Sequence, residues 1–135
     1  MTVLVIDAQG GGIGRQLVSS VRQSFPDVHV LAVGTNTAAT AAMLKAGAHE
    51  AATGENAVAV ASRRADVIMG PVGIVIADSL LGEITPGMAV AVAQARAKRI
   101  LIPFNHCDTT VVGVSDLSPA GLLRAALNCL SQIMT

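Results

Sequence analysis

Short unbroken apolar runs alternate along this chain with segments whose apolar residues recur every three or four positions. The first run, Val3-Leu4-Val5-Ile6, has the pattern of a strand buried on both faces. An amphipathic helix follows over residues 13–24, with Ile13, Leu17, Val18 and Val21 on one face and Arg15, Gln16, Ser19 and Arg22 on the other. A second strand is predicted over 28–33, closed by Gly34-Thr35-Asn36. Thr37 then caps a small helix over 38–46, with Gly47 as its C′ residue. A third strand covers 48–52, and Thr53-Gly54-Glu55-Asn56 turns into a brief helix ending near Arg63-Arg64. The fourth strand, 66–69, leads into Gly70-Pro71-Val72-Gly73.

The mostly apolar segment 74–81 is expected to be helical. Thr85-Pro86 pairs an N-cap with proline at the first helical position and starts a helix to about Ala97. A fifth strand is predicted over 99–104. Residues 110–114 form a further strand or a hairpin arm. Ser118-Pro119 repeats the cap-and-proline device and launches a last helix to about Ile133. Strand and helix alternate with short connections, so one domain spanning 1–135 is expected. It is an α/β domain of three layers with a mostly parallel, doubly wound sheet. Two strand orders fit: the Rossmann-like 3-2-1-4-5, preferred for its glycine loop, and the flavodoxin-like 2-1-3-4-5. In both, ligands sit at the carboxyl ends of strands where the order reverses.

The loop after the first strand changes the picture from fold to function. Gly10, Gly11, Gly12 and Gly14 stand between a strand and a helix, an arrangement that aims backbone N–H groups and a helix dipole at one point. That geometry suits a phosphate or another small anion. Against G-x-G-x-x-G, Gly11 and Gly14 fit, but Gln9 stands in place of the first glycine. Against the short-chain dehydrogenase pattern, Gly12-Ile13-Gly14 fits, yet Asp7 and Ala8 replace Thr and Gly. Against the ParA-like phosphate loop, Gly10 replaces one lysine, Arg15 the other, and Gln16 the magnesium-holding hydroxyl, so the residues of ATPase chemistry are missing.

A nucleotide or dinucleotide of the NAD type, or another adenine nucleotide, is therefore expected at Gln9, Gly10, Gly11, Gly12, Ile13 and Gly14. Thr35 and Asn36 would lie at the ribose, and Gly70, Pro71 and Val72 at the pocket wall. No acidic residue follows the second strand, where NAD-binding domains usually carry one. Asp7 is expected to bond its own loop and hold its shape. Asp78, Glu83 and Glu55 form no evident carboxylate pair. Asn105-His106-Cys107 places two reactive side chains on opposite sides of an extended segment, which makes a Cys–His pair geometrically unfavourable. No spacing of histidines and cysteines suits a metal.

Composition adds limits. Of 135 residues, 52% are hydrophobic and only 13% charged, and the net charge is zero. A small ligand and a homo-oligomer are the expected partners, the last helix offering Leu123, Leu127, Leu130 and Met134 on one stripe and Leu122, Ala126 and Ile133 on its flank. Without a basic patch, nucleic acid and anionic membranes are not. No apolar stretch reaches membrane-span length and no signal peptide is evident, so a cytoplasmic protein with reduced Cys107 and Cys129 is expected.

The stretches Ile6-Asp7-Ala8-Gln9-Gly10-Gly11-Gly12-Ile13-Gly14, Val33-Gly34-Thr35-Asn36, Ala52-Thr53-Gly54-Glu55-Asn56-Ala57 and Ala77-Asp78-Ser79-Leu80-Leu81-Gly82-Glu83-Ile84-Thr85-Pro86 resemble a family of short bacterial proteins catalogued as a domain of unknown function. The resemblance implies a Rossmann-like domain and assigns no activity. Three roles compete. The first is a nucleotide-binding domain in a regulatory or oxidoreductase-like role. The others are a non-enzymatic oligomeric subunit acting through protein contacts and a flavodoxin-like domain holding a flavin or a corrinoid.

Overall fold

The computed structural model describes residues 1–103, 109–114 and 117–135. Its elements are β1 (Thr2–Asp7), α1 (Gly12–Ser24), β2 (His29–Gly34), α2 (Thr37–Lys45), β3 (Glu50–Thr53), α3 (Glu55–Arg64), β4 (Val67–Pro71), a 3-10 turn (Val72–Val75), α4 (Pro86–Ala93), β5 (Lys98–Ile102) and α5 (Pro119–Met134). All strand pairs are parallel, in the order β3-β2-β1-β4-β5. This is the Rossmann-like order, and the order 2-1-3-4-5 is not adopted.

Alternation along the central strands divides the core in two. Val3 and Val5 of β1, with Val30, Val67 and Met69, face α1, α2 and α5 through Leu17, Val18, Met43 and Leu130. Leu4 and Ile6, with Leu31 and Ile68, face α3 and α4 through Val58, Met88 and Val92. Both faces of β1 are buried, which is why its sequence is continuously apolar. Register sets Leu4 against Leu31 and Ile68, and Val5 against Ala32 and Met69. The order reverses between β1 and β4, and the loops leaving their carboxyl ends meet there.

Several local expectations shift. Helix α2 begins one residue early because Asn36, not Thr37, is the cap: its Oδ1 accepts from the Ala39 N–H at 2.9 Å. β4 continues through Gly70 and Pro71. Segment 74–81 is not a helix. After the 3-10 turn, Ser79 Oγ donates to the Gly73 carbonyl and the Asp78 N–H donates to the Ile84 carbonyl, which closes a loop instead of extending a helix. Helix α4 stops at Ala93, short of Ala97, and β5 ends at Ile102, ahead of Pro103. Residues 110–114 form no strand; Val112 and Gly113 make a turn, with Gly113 at φ 82°.

On α5, Ala126 and Leu130 are buried while Leu122, Leu123, Leu127 and Ile133 pack against the same core. Both apolar stripes are thus engaged within the chain, and only Met134, 40% exposed, stands clear. Among the described residues no helix is long and apolar enough to cross a membrane.

Candidate functional site at the carboxyl end of the sheet

Asp7, the last residue of β1, is 6% exposed. Its Oδ1 accepts from the Ala8 N–H at 2.8 Å and its Oδ2 from the Gly14 N–H at 2.7 Å. Burial pushes the Asp7 carboxyl above its ordinary value; the amides of Gly14, Ala8 and Ile13 pull it back, and the nearby Glu83 charge pushes it up further. The loop is thus closed around a carboxylate of its own.

The four glycines divide into two kinds. Gly11 sits at φ 72°, and a Cβ there would lie 3.0 Å from Ala39 Cα; its N–H donates to the Ala8 carbonyl at 3.0 Å. A Cβ on Gly14 would come within 2.7 Å of Asp7 Cβ and 2.6 Å of Met43 Sδ, so this glycine lets α1 approach β1 and α2. Gly10 and Gly12 differ. Neither has positive φ, neither has an atom within 4 Å of a built Cβ, and both are exposed. Among the described residues, neither of their N–H groups has a hydrogen-bond acceptor.

Gly10 and Gly12 line a cleft of about 170 Å³ with Asp7, Gln9, Ile13, Pro71 and Leu80. It lies at the reversal point between β1 and β4, at the N-terminus of the 13-residue α1. Gly70 is buried in β4, where a Cβ would stand 2.5 Å from the Ile6 carbonyl oxygen; it serves strand packing. Pro71 reaches the cleft wall, and Val72 opens the 3-10 turn beyond it.

Thr35 and Asn36 meet a partner that their local sequence does not announce. Glu83 Oε1 accepts from Thr35 Oγ1 at 2.6 Å, from Asn36 Nδ2 at 2.7 Å and from the Gln9 N–H at 3.0 Å. Asn36 Nδ2 also donates to the Gln9 carbonyl at 2.9 Å. Burial acts to raise the Glu83 carboxyl, but the donors from Thr35, Gln9 and Asn36 outweigh it and hold it below the usual glutamate value. No periodicity around residue 83 signals this contact, because it spans 47 positions to Asn36. The adjoining loop carries Asp78, Leu80 and Leu81 at φ 65°, 55° and 58°.

Glu55 lies apart, its Oε1 accepting from Thr85 Oγ1. Asp78 is exposed on the loop. Asn105-His106-Cys107 falls outside the described residues. Cys129 is an exposed free thiol, and among the described residues no group of three or more His, Cys, Asp or Glu is placed to hold a metal.

No curated protein matches the sequence. Among solved structures, the dodecameric FMN-dependent UbiX-like decarboxylase of Escherichia coli O157:H7 is similar at a TM-score of 0.46 and 18% identity, over 100% of this chain and 78% of that one. Residues 2–135 match a family model, and the chain belongs to the family described as a domain of unknown function (DUF3842).

Proposed function

We propose that this chain binds one phosphate group of a small nucleotide-like ligand at Gly10 and Gly12. The observation that carries the reading is the pair of unpartnered N–H groups on two exposed glycines that the fold itself does not require. They stand at the positive end of the α1 dipole, where an anion is favoured. The Ala8, Gln9, Gly11 and Gly14 amides are already used internally, so the loop offers too little for a pyrophosphate. The cleft, about 170 Å³, is also below the ~300 Å³ at which pockets for whole organic ligands begin. A mononucleotide, flavin or adenine, fits this better than a dinucleotide such as NAD, with the remainder of the ligand lying outside the cleft.

Isothermal titration with inorganic phosphate, AMP, FMN, NAD, adenosine and riboflavin tests the reading. Inorganic phosphate and at least one of AMP and FMN should bind, NAD more weakly than the mononucleotide, and Gly12→Asp should abolish binding while leaving the melting temperature unchanged. Equal affinity for riboflavin and FMN, and for adenosine and AMP, would sink it. A second reading, self-association, is supported by the exposed Val111, Val112, Val114 and Leu117 ahead of α5. Light scattering coupled to gel filtration tests it; a monomer at high concentration rejects it.

A further inference from the structure

NAD-binding doubly wound domains usually carry an acidic side chain near the carboxyl end of the second strand, where it accepts from the ribose hydroxyls. Gly34-Thr35-Asn36 contains none. The fold nevertheless brings a carboxylate to that position, from the loop between β4 and α4. Glu83 Oε1 is pinned there by Thr35 Oγ1, Asn36 Nδ2 and the Gln9 N–H. Its other oxygen, Oε2, meets no donor among the described residues and is not sealed from solvent.

We propose that Glu83 Oε2 accepts the vicinal hydroxyls of the ligand's sugar, a ribosyl or a ribityl group, and thereby selects the ligand. This assignment rests on the phosphate site proposed above. Gln9 connects the two positions, since it lines the cleft and its N–H holds Glu83. The Thr35 hydroxyl and the Asn36 amide donate to Oε1, which leaves Oε2 as the open oxygen of this carboxylate. Because the carboxylate is already ordered, binding costs it little rotamer freedom. An acceptor also discriminates: it rewards hydroxyl donors and repels a second phosphate at the same place.

Titration of the wild type and Glu83→Gln with inorganic phosphate, AMP, 2′,3′-dideoxy-AMP and FMN tests the assignment. Gln keeps an oxygen for the three donors and replaces the free one by an amide. The variant should lose about tenfold in affinity for whichever of AMP and FMN binds, as expected for a charge-assisted bond to hydroxyl, with no loss for inorganic phosphate. AMP binding identifies a ribosyl ligand, with 2′,3′-dideoxy-AMP correspondingly weaker; FMN binding identifies a ribityl one. Unchanged affinity for both nucleotides, or an equal loss for phosphate, overturns the role of Glu83 alone. A wild type that binds none of these probes overturns the phosphate site, and this assignment with it. Should Glu83→Gln melt early, Glu83→Asp, which keeps the charge on a shorter stem, must show the same selective loss.

Discussion

The carboxylate of Asp7 and the amide of Gly14 lie 2.7 Å apart and tie the end of β1 to the first turn of α1. The contact is buried, and a methyl group on Gly14 has nowhere to go. Shape and hydrogen bonding thus depend on one another at the first crossover.

Gly14→Ala should therefore destabilise the domain by about 1–3 kcal/mol, the usual cost of forcing one carbon into a packed site. Gly12→Ala, with open space around it, should stay within about 0.5 kcal/mol of the wild type. Urea unfolding of the two variants measures the difference. Gly11→Asp is a poor probe of binding, since its positive φ and the nearness of Ala39 make it a folding variant.

Asn36→Ala removes the cap of α2 and two of the bonds joining Gln9, Asn36 and Glu83. A loss of about 1–2 kcal/mol is expected from the cap alone. Amide hydrogen exchange should rise in the first turn of α2 and at Gln9 together. A rise confined to α2 would show that Asn36 does not order the glycine loop.

Glu83 and Asp7 should leave opposite marks on stability against pH. The folded-state value of Glu83 lies below 4.5, so its contribution is present above that pH and is lost as pH falls through the lowered value. The folded-state value of Asp7 lies above 3.8, so its proton favours folding at low pH and that contribution fades as pH rises through the raised value. Subtracting the profile of Glu83→Gln from the wild type should give a difference that grows with rising pH across the acid range. The same subtraction for Asp7→Asn should slope the other way. Parallel slopes would contradict the environments described.

Leu81 is 96% exposed at φ 58°. Leu81→Gly removes a left-handed penalty of about 1–2 kcal/mol at an entropic cost of about 0.5–1 kcal/mol. A net gain of roughly 0.5–1 kcal/mol is expected by thermal unfolding. A loss would mean that the Leu81 side chain makes contacts that matter in solution.

Much of the scaffold was readable from residue order. Val3–Ile6-type runs, the Thr85-Pro86 and Ser118-Pro119 caps and Gly47 each act locally, and local signals suffice for elements that begin and end on their own residues. Segment 74–81 misleads because its apolar residues, Ile74, Val75 and Leu80 among them, are drawn to the core from a closed loop, and a run of apolar residues does not reveal backbone sign at Asp78, Leu80 and Leu81. At the site, the loop glycines were visible as a group but not their division into packing and open positions, which depends on Ala39 and Met43 of α2. The meeting of Glu83 with Thr35 and Asn36 was beyond local reading, since it follows from the reversal of strand order.

The bond between Gln9 and Glu83 joins a loop that leads into one helical layer to a loop that leads into the other. It works as a rivet across the rim of the sheet. Because each of these loops opens a different layer, the one bond ties the entry points of both layers to each other, independently of the strands between them.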